Sequence, residues 1–288
     1  MDAIGRINFT LEQAVLAAEA DCPPKLAAAL RYAIFPGGAR LRPKLCLAVA
    51  WACGEDDARV VDGAASAIEL LHCASLVHDD LPCFDDADLR RGKPTLHRMF
   101  GEQIAVLSGD ALIVLAFETL AAAAARRPHR LGPLTTIVSR AVGAPGGICA
   151  GQAWECESEV DVSRYHRAKT GALFSAATMA GAAAAAVPYL PWRALGELIG
   201  EAYQVADDIR DVAGNPDDIG KPVGRDAALA RPSACRELGL RGAVARLNSL
   251  VEEAVASIPA CPRVNELRAL MRHEASRFLP EDILRAAA

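Results

Sequence analysis

Apolar residues recur at a spacing of three and four along nearly the whole chain, and no stretch alternates apolar with polar in the manner of a strand. The spacing predicts helices over 9–20, 24–35, 41–53, 57–80, 98–126, 131–157, 161–187, 192–213, 236–257 and 263–286. Turn-forming sequences punctuate the pattern: Pro23-Pro24, Pro36-Gly37-Gly38, Gly92-Lys93-Pro94, Pro145-Gly146-Gly147 and Asn215-Pro216. Alanine is used heavily, which favours helix and lets helices approach closely. The expected fold is all-α, a bundle of about ten helices around a buried apolar centre.

Composition agrees with that picture. Of 288 residues, 52% are hydrophobic and 23% charged, enough apolar surface for a large core. No Ser/Gly-rich linker, charge block or repeat marks a boundary, so residues 1–288 read as one domain. A net charge of -5 with a pI near 5.7 argues against nucleic acid or an anionic membrane as partner. Nine cysteines lie scattered without CxxC pairs and read as reduced, buried thiols. Asp2, Arg6 and Glu12 interrupt the N-terminus, so no signal peptide is expected and the location reads as cytoplasmic. Residues 171–192 carry no charge, but they are rich in Ala, Gly, Ser and Thr and contain Pro188 and Pro191. They read as a core helix rather than a membrane span, and the protein as soluble.

Two acidic clusters change the picture from fold to chemistry. The first, Asp79-Asp80-Leu81-Pro82-Cys83-Phe84-Asp85-Asp86-Ala87-Asp88, follows the apolar run 68–77 and leads into Arg90-Arg91. Five carboxylates at a helix C-terminus repel one another and the dipole, and two arginines cannot neutralise them. The second, Asp207-Asp208-Ile209-Arg210-Asp211, follows the apolar run 198–205. Asp207 and Asp211 share one helix face, and Asp208 lies about 100° round, able to reach a second ion. Taken singly, each cluster is most simply a solvated acidic face. A pair of them, each abutting an apolar helix, suits a hard cation. Magnesium binds through one or two carboxylates and completes its shell with water and phosphate oxygens. Arg40, Arg42, Arg90, Arg91, Lys169 and Lys221 supply the cations of a phosphate site. Facing clusters would grip a diphosphate at the mouth of the bundle, with a hydrocarbon tail in its interior.

These residues, in this order, resemble the trans-isoprenyl diphosphate synthases (polyprenyl synthetases), in particular the geranylgeranyl diphosphate synthases of bacterial carotenoid and bacteriochlorophyll pathways. Asp79-Asp80…Asp85 is similar to the family's first aspartate motif and Asp207-Asp208-x-x-Asp211 to the second. Gly37-Gly38-Ala39-Arg40-Leu41-Arg42-Pro43 is similar to its isopentenyl-diphosphate segment. The resemblance implies an isoprenoid synthase fold, a homodimer, and condensation of an allylic diphosphate (dimethylallyl, geranyl or farnesyl) with isopentenyl diphosphate.

It also implies roles. Asp79, Asp80, Asp85, Asp207, Asp208 and Asp211 would hold about three Mg²⁺. Arg90, Lys169 and Lys221 would contact the allylic diphosphate, and Arg42, His72 and Arg91 the isopentenyl one. Thr170 and Gln204 would face the allylic cation, and Ala74 would form the floor of the tail pocket, small enough for a C20 product. His78 reads as structural; Glu155 and Glu157 could join the polar mouth but read as ordinary helix-surface acids. Two departures stand out: Ala39 replaces the family's usual Lys, so that either Arg40 substitutes or the affinity for isopentenyl diphosphate is lower, and Leu229-Ala230-Arg231-Pro232-Ser233 replaces a segment with Lys and Thr-Tyr-Pro. A farnesyl (C15) synthase, a class I terpene cyclase and a non-catalytic subunit are the alternatives. The second Asp motif speaks against the cyclase, and the complete set of six carboxylates against the subunit.

Overall fold

The computed structural model describes residues 2–35, 38–159, 162–213 and 233–279. Lys221, and with it the 220–222 and 229–232 segments, lies outside the described residues. The chain forms two compact units, Met1–Ser139 with Ala176–Tyr189, and Arg140–Ser175 with Leu190–Ala288.

In the first unit, α1 (Ala3–Glu19) starts six residues earlier than the apolar pattern suggests, because Asp2 caps it by accepting the Gly5 amide at 2.8 Å. Pro24 opens α2 (Pro24–Ile34), and Gly54, with φ +86°, closes α3 (Leu41–Cys53). Helix α4 (Ala58–Asp79) buries 14 of its 22 residues and runs beside α6 (Glu102–Ala124), after the short α5 (Leu96–Phe100). Gly101, at φ +91°, separates α5 from α6 and splits the helix expected over 98–126. Gly63 lies against Ala123, and Gly109 lies under the His78 ring, so a β-carbon at either glycine would collide with its neighbour.

A two-stranded ribbon, β1 (Leu89–Arg90) and β2 (Lys93–Pro94), was not expected from the pattern. Its two-residue loop, Arg91-Gly92, has φ +54° and +73°, the combination a type I′ turn requires. Arginine is an unusual occupant of that first position, so the Gly-Lys-Pro run announces a turn without revealing the hairpin.

The second unit contains the end of α7 (Pro128–Val142), then α8 (Ile148–Ala153) and a 3₁₀ turn over Trp154–Cys156. The single helix expected over 131–157 breaks at Pro145-Gly146-Gly147. A π turn over Arg167–Gly171 interrupts the helix expected over 161–187, separating α9 (Val162–His166) from α10 (Ala172–Ala184). Helix α11 (Arg193–Ala213) buries Leu195, Ile199, Ala202, Val205, Ala206 and Ile209 and packs beside α12 (Ala234–Ala256), which kinks at Gly239. Last among the described residues comes α13 (Val264–Ala275).

Helix α10 has 13 residues, too few to cross a bilayer. Helices α4 and α6 are long and apolar enough by length and composition, with 78% and 39% of their most apolar stretches buried. All nine cysteines are free thiols, but Cys83, Cys149 and Cys156 are exposed, which corrects the expectation of uniform burial.

Candidate active site

The first cluster is a stitched loop. After α4 ends, the chain folds back so that the Asp85 amide donates to the Asp79 carbonyl (3.0 Å) and the Ala87 amide to that of Asp80 (3.2 Å). The Thr95 hydroxyl donates to the Ala87 carbonyl at 2.6 Å, and the Thr95 amide to that of Asp88 at 2.9 Å. The Tyr32 hydroxyl, from α2, ties down the Pro94 carbonyl at 2.8 Å.

Arg90 forks onto Asp80, with Nε 2.8 Å from both carboxylate oxygens and Nη2 2.6 Å from Oδ1, while Asp79 Oδ2 lies 3.6 Å from Nη2. The charge imbalance read from the sequence is partly met from outside the cluster, because Arg98 pairs with Asp86 at 3.1 Å and with Asp88 at 2.7 Å. Asp80, Arg90 and Arg91 line a cleft of about 140 Å³. Burial raises the Asp80 pKa, and the charges of Asp79 and Asp85 raise it further against the pull of Arg90.

Among the described residues no three acidic, His or Cys side chains form a ready metal cage. Asp79, Asp80 and Asp85 nevertheless fit magnesium: hard oxygen donors, crowded by like charge, of the kind that ion binds through one or two carboxylates plus phosphate oxygens.

Seven residues before Asp79 on α4 stands His72, met by arginines from outside that helix. Arg42, from the first turn of α3, reaches His72 Nε2 with Nη1 at 3.4 Å. The Arg91 guanidinium lies against the backbone of Gly38, where a β-carbon would strike it. Withdrawal from water, then the charges of Arg42, Arg91, Arg90 and Arg40, hold the His72 pKa well below the usual imidazole value. Its ring is therefore neutral at pH 7. Arg40 does not belong to this surface. It is 4% exposed and turned inward onto Glu69, which overturns the expectation that it substitutes for a lysine at position 39; Ala39 itself is exposed. His78 packs on Gly109 with Nε2 3.4 Å from the Val106 carbonyl, a structural position.

In the second unit, Arg210 pairs with Asp207 at 2.9 Å, lies 5.4 Å over the Tyr203 ring and donates to the Phe278 carbonyl. Asp208 is buried, with Oδ1 accepting from Gln204 Nε2 (3.0 Å) and Oδ2 from the Ala234 amide at the start of α12 (2.8 Å). Gln204 Oε1 in turn accepts from the Thr170 hydroxyl at 3.0 Å. Thr170 sits in the π turn, a distortion that often marks function.

Lys169, in the same turn, donates to Glu155 Oε1, which also accepts from the Tyr165 hydroxyl at 2.6 Å. Gln152 donates to Glu155 Oε2 at 3.2 Å. Sequence reading passed over Glu155 as a surface acid, since its partners lie ten and fourteen residues away across a break in the helix. Gln204 and Asp208 line a cavity of about 870 Å³ with His166, Arg167 and Arg246. Ala74 is buried and does not line the cleft at Asp80.

A polyprenyl synthetase family model matches residues 23–266. The chain belongs to the polyprenyl synthetase family. It is 54% identical over 279 residues to a geranylgeranyl diphosphate synthase of Cereibacter sphaeroides, covering 96% of this chain and 97% of that one. Among solved structures it resembles a geranyltransferase from Helicobacter pylori complexed with magnesium and isoprenyl diphosphate, with a TM-score of 0.78, 31% identity and coverage of 94% and 98%. An FPP/GFPP synthase from Zymomonas mobilis aligns with a TM-score of 0.75, 32% identity and coverage of 95% and 99%. The polyprenyl synthetase chain thus has the all-α fold of these isoprenoid synthases.

Proposed function

We propose that this chain is a magnesium-dependent prenyltransferase that condenses an allylic diphosphate with isopentenyl diphosphate and makes geranylgeranyl diphosphate. The observation that carries this reading is the order of groups along α4 and the arginines that meet them. A neutral histidine with Arg42 and Arg91 stands seven residues before an aspartate pair clasped by Arg90. At 1.5 Å per residue, His72 and Asp79 are about 10 Å apart along the helix, which supports a place for each of two diphosphates. The family model crosses both compact units, which supports reading 1–288 as one functional domain.

In this reading Asp79, Asp80, Asp85, Asp207, Asp208 and Asp211 are the metal ligands, with about three ions bound. The bound metal supplies positive charge that stabilises the departing diphosphate. Arg90 and Lys169 hold the allylic diphosphate, and Lys221 is assigned the same part. Arg42, Arg91 and the neutral His72 hold isopentenyl diphosphate by charge-assisted and neutral hydrogen bonds. The allylic C–O bond breaks with its electron pair going to the diphosphate. The isopentenyl double bond then attacks the cation, and the proton lost goes to the released diphosphate. In this reading Thr170 and Gln204 face the cation, and the Gln204 amide is held at both ends, by the Thr170 hydroxyl and by Asp208. Apolar walls keep water from it.

Helix α6 exposes Val106, Leu107 and Val114 on one side, an apolar stripe suited to a second copy of the chain, and a cytoplasmic homodimer goes with this reading. The test is incubation of pure protein with labelled isopentenyl diphosphate, each allylic primer and Mg²⁺, reading product length. We expect C20 from wild type and C15 as the main product of Ala74→Phe. A soluble, active Ala74→Phe enzyme still making C20 moves the pocket floor elsewhere, and no condensation with any primer overturns the activity.

A further inference from the structure

The least expected group in the first unit is an ion pair with no part in the chemistry above. Glu69 is the one acid in the apolar run Ala64–Leu71, and its side chain is 3% exposed. Its partner Arg40, equally enclosed, donates from Nη1 to Glu69 Oε1 at 2.5 Å and from Nη2 to the Ile34 carbonyl at 2.8 Å. One guanidinium therefore ties together the last residue of α2, the residue before α3 and the middle of α4. Arg40 also takes a left-handed backbone, φ 51° and ψ 37°, which disfavours any side chain with a β-carbon.

Stability does not account for this arrangement. A buried pair recovers little of its desolvation penalty, and well-packed apolar residues of the same volume often do as well or better. A planar fork does give direction: it fixes the distance and rotation between the elements it joins. Those elements are the ones that matter for the isopentenyl site. Arg42 follows two residues after Arg40, His72 follows three after Glu69, and the two meet at 3.4 Å. Cys73, beside the pair, is held inert by burial and the Glu69 charge, its pKa pushed up to about 12.

We infer that Arg40 and Glu69 are a positioning pair that sets the Arg42–His72 spacing and thereby the affinity for isopentenyl diphosphate. This rests on the reading of Arg42 and His72 as ligands of that substrate, and the test separates the two. Arg42→Gln is the reference variant. Arg40→Lys keeps the charge and loses the fork; Arg40→Met/Glu69→Leu replaces the pair by apolar side chains that can fill the space. For all three, steady-state KM values for isopentenyl and geranyl diphosphate, kcat and the melting temperature are measured.

We expect Arg40→Lys and the double variant to raise KM for isopentenyl diphosphate about tenfold, with KM for geranyl diphosphate within about twofold of wild type and little change in melting temperature. If Arg42→Gln leaves the isopentenyl KM unmoved, the ligand reading itself falls. If Arg42→Gln raises it while neither pair variant does, or both KM values rise together, the positioning inference is overturned. Should the double variant be insoluble, Arg40→Lys decides alone. If neither folds, the pair serves the core and the inference falls.

Discussion

The two aspartate clusters look alike in sequence and are built differently. The first starts at the last residue of its helix and runs into a loop sewn to a hairpin, with its acids sorted by partner: Asp79 and Asp80 against Arg90, Asp86 and Asp88 against Arg98. The second stays within the last turns of α11 and spends one member, Asp208, on backbone and amide donors. The lesson is that spacing nominates a carboxylate but its hydrogen bonds decide its work. Asp79 and Asp80 are held in tension by like charge; Asp208 is held in place.

The largest effect should come from Asp79→Asn, which removes a proposed metal ligand without emptying a cap. Activity should fall by 10³ or more, on the order of 4 kcal/mol of transition-state stabilisation, while the melting temperature stays level or rises as repulsion is relieved. Asp208→Asn should instead lose stability as well, by about 1–3 kcal/mol, because its amide would face a donor now bonded to Oδ1 or Oδ2. Denaturant titration beside steady-state kinetics separates the two, and an equal stability loss in both variants would erase the distinction.

Gly109→Ala tests what supports the first cluster. A methyl there strikes the His78 ring, one residue from Asp79, and should destabilise by about 1–3 kcal/mol and lower kcat. An unchanged melting curve would show that His78 can move freely.

The next effect is a pH dependence. His72 has a lowered folded pKa, so its contribution to stability is present above the unfolded value and is lost as pH falls toward the folded one. Between about pH 6.5 and 5, wild type should lose up to about 2 kcal/mol relative to His72→Gln, seen as converging melting temperatures. Parallel curves would mean that His72 titrates normally. Smallest of all is Arg98→Ala. Its two pairs are exposed, so we expect about 1 kcal/mol or less and activity within about threefold of wild type. A hundredfold loss would make the outer acids part of the working site.

Much of this was legible in the sequence. Helix α4 and both clusters announce themselves because an apolar run with period 3.6 stops abruptly at charge. Other features were hidden for identifiable reasons. The hairpin was missed because Arg-Gly replaces the Asn-Gly that normally signals such a loop. The role of Arg40 stayed hidden because its place beside Arg42 in the sequence does not show which way its side chain turns. The missed signal was Glu69, since a lone acid among Ile68, Leu70 and Leu71 must find a buried cation. The partners of Glu155 stayed hidden because helical periodicity does not carry across the break between Cys156 and Val162.

Arg91 has a consequence for anyone evolving this protein in the laboratory. It occupies the first loop position of a I′ turn, where asparagine or glycine rests more comfortably than arginine by about 1 kcal/mol. A library screened only for heat tolerance would therefore enrich Arg91→Asn or Arg91→Gly, and every such winner would have discarded a proposed substrate ligand. The turn sets durability against turnover at one codon, and selections on this scaffold need an activity filter from the first round.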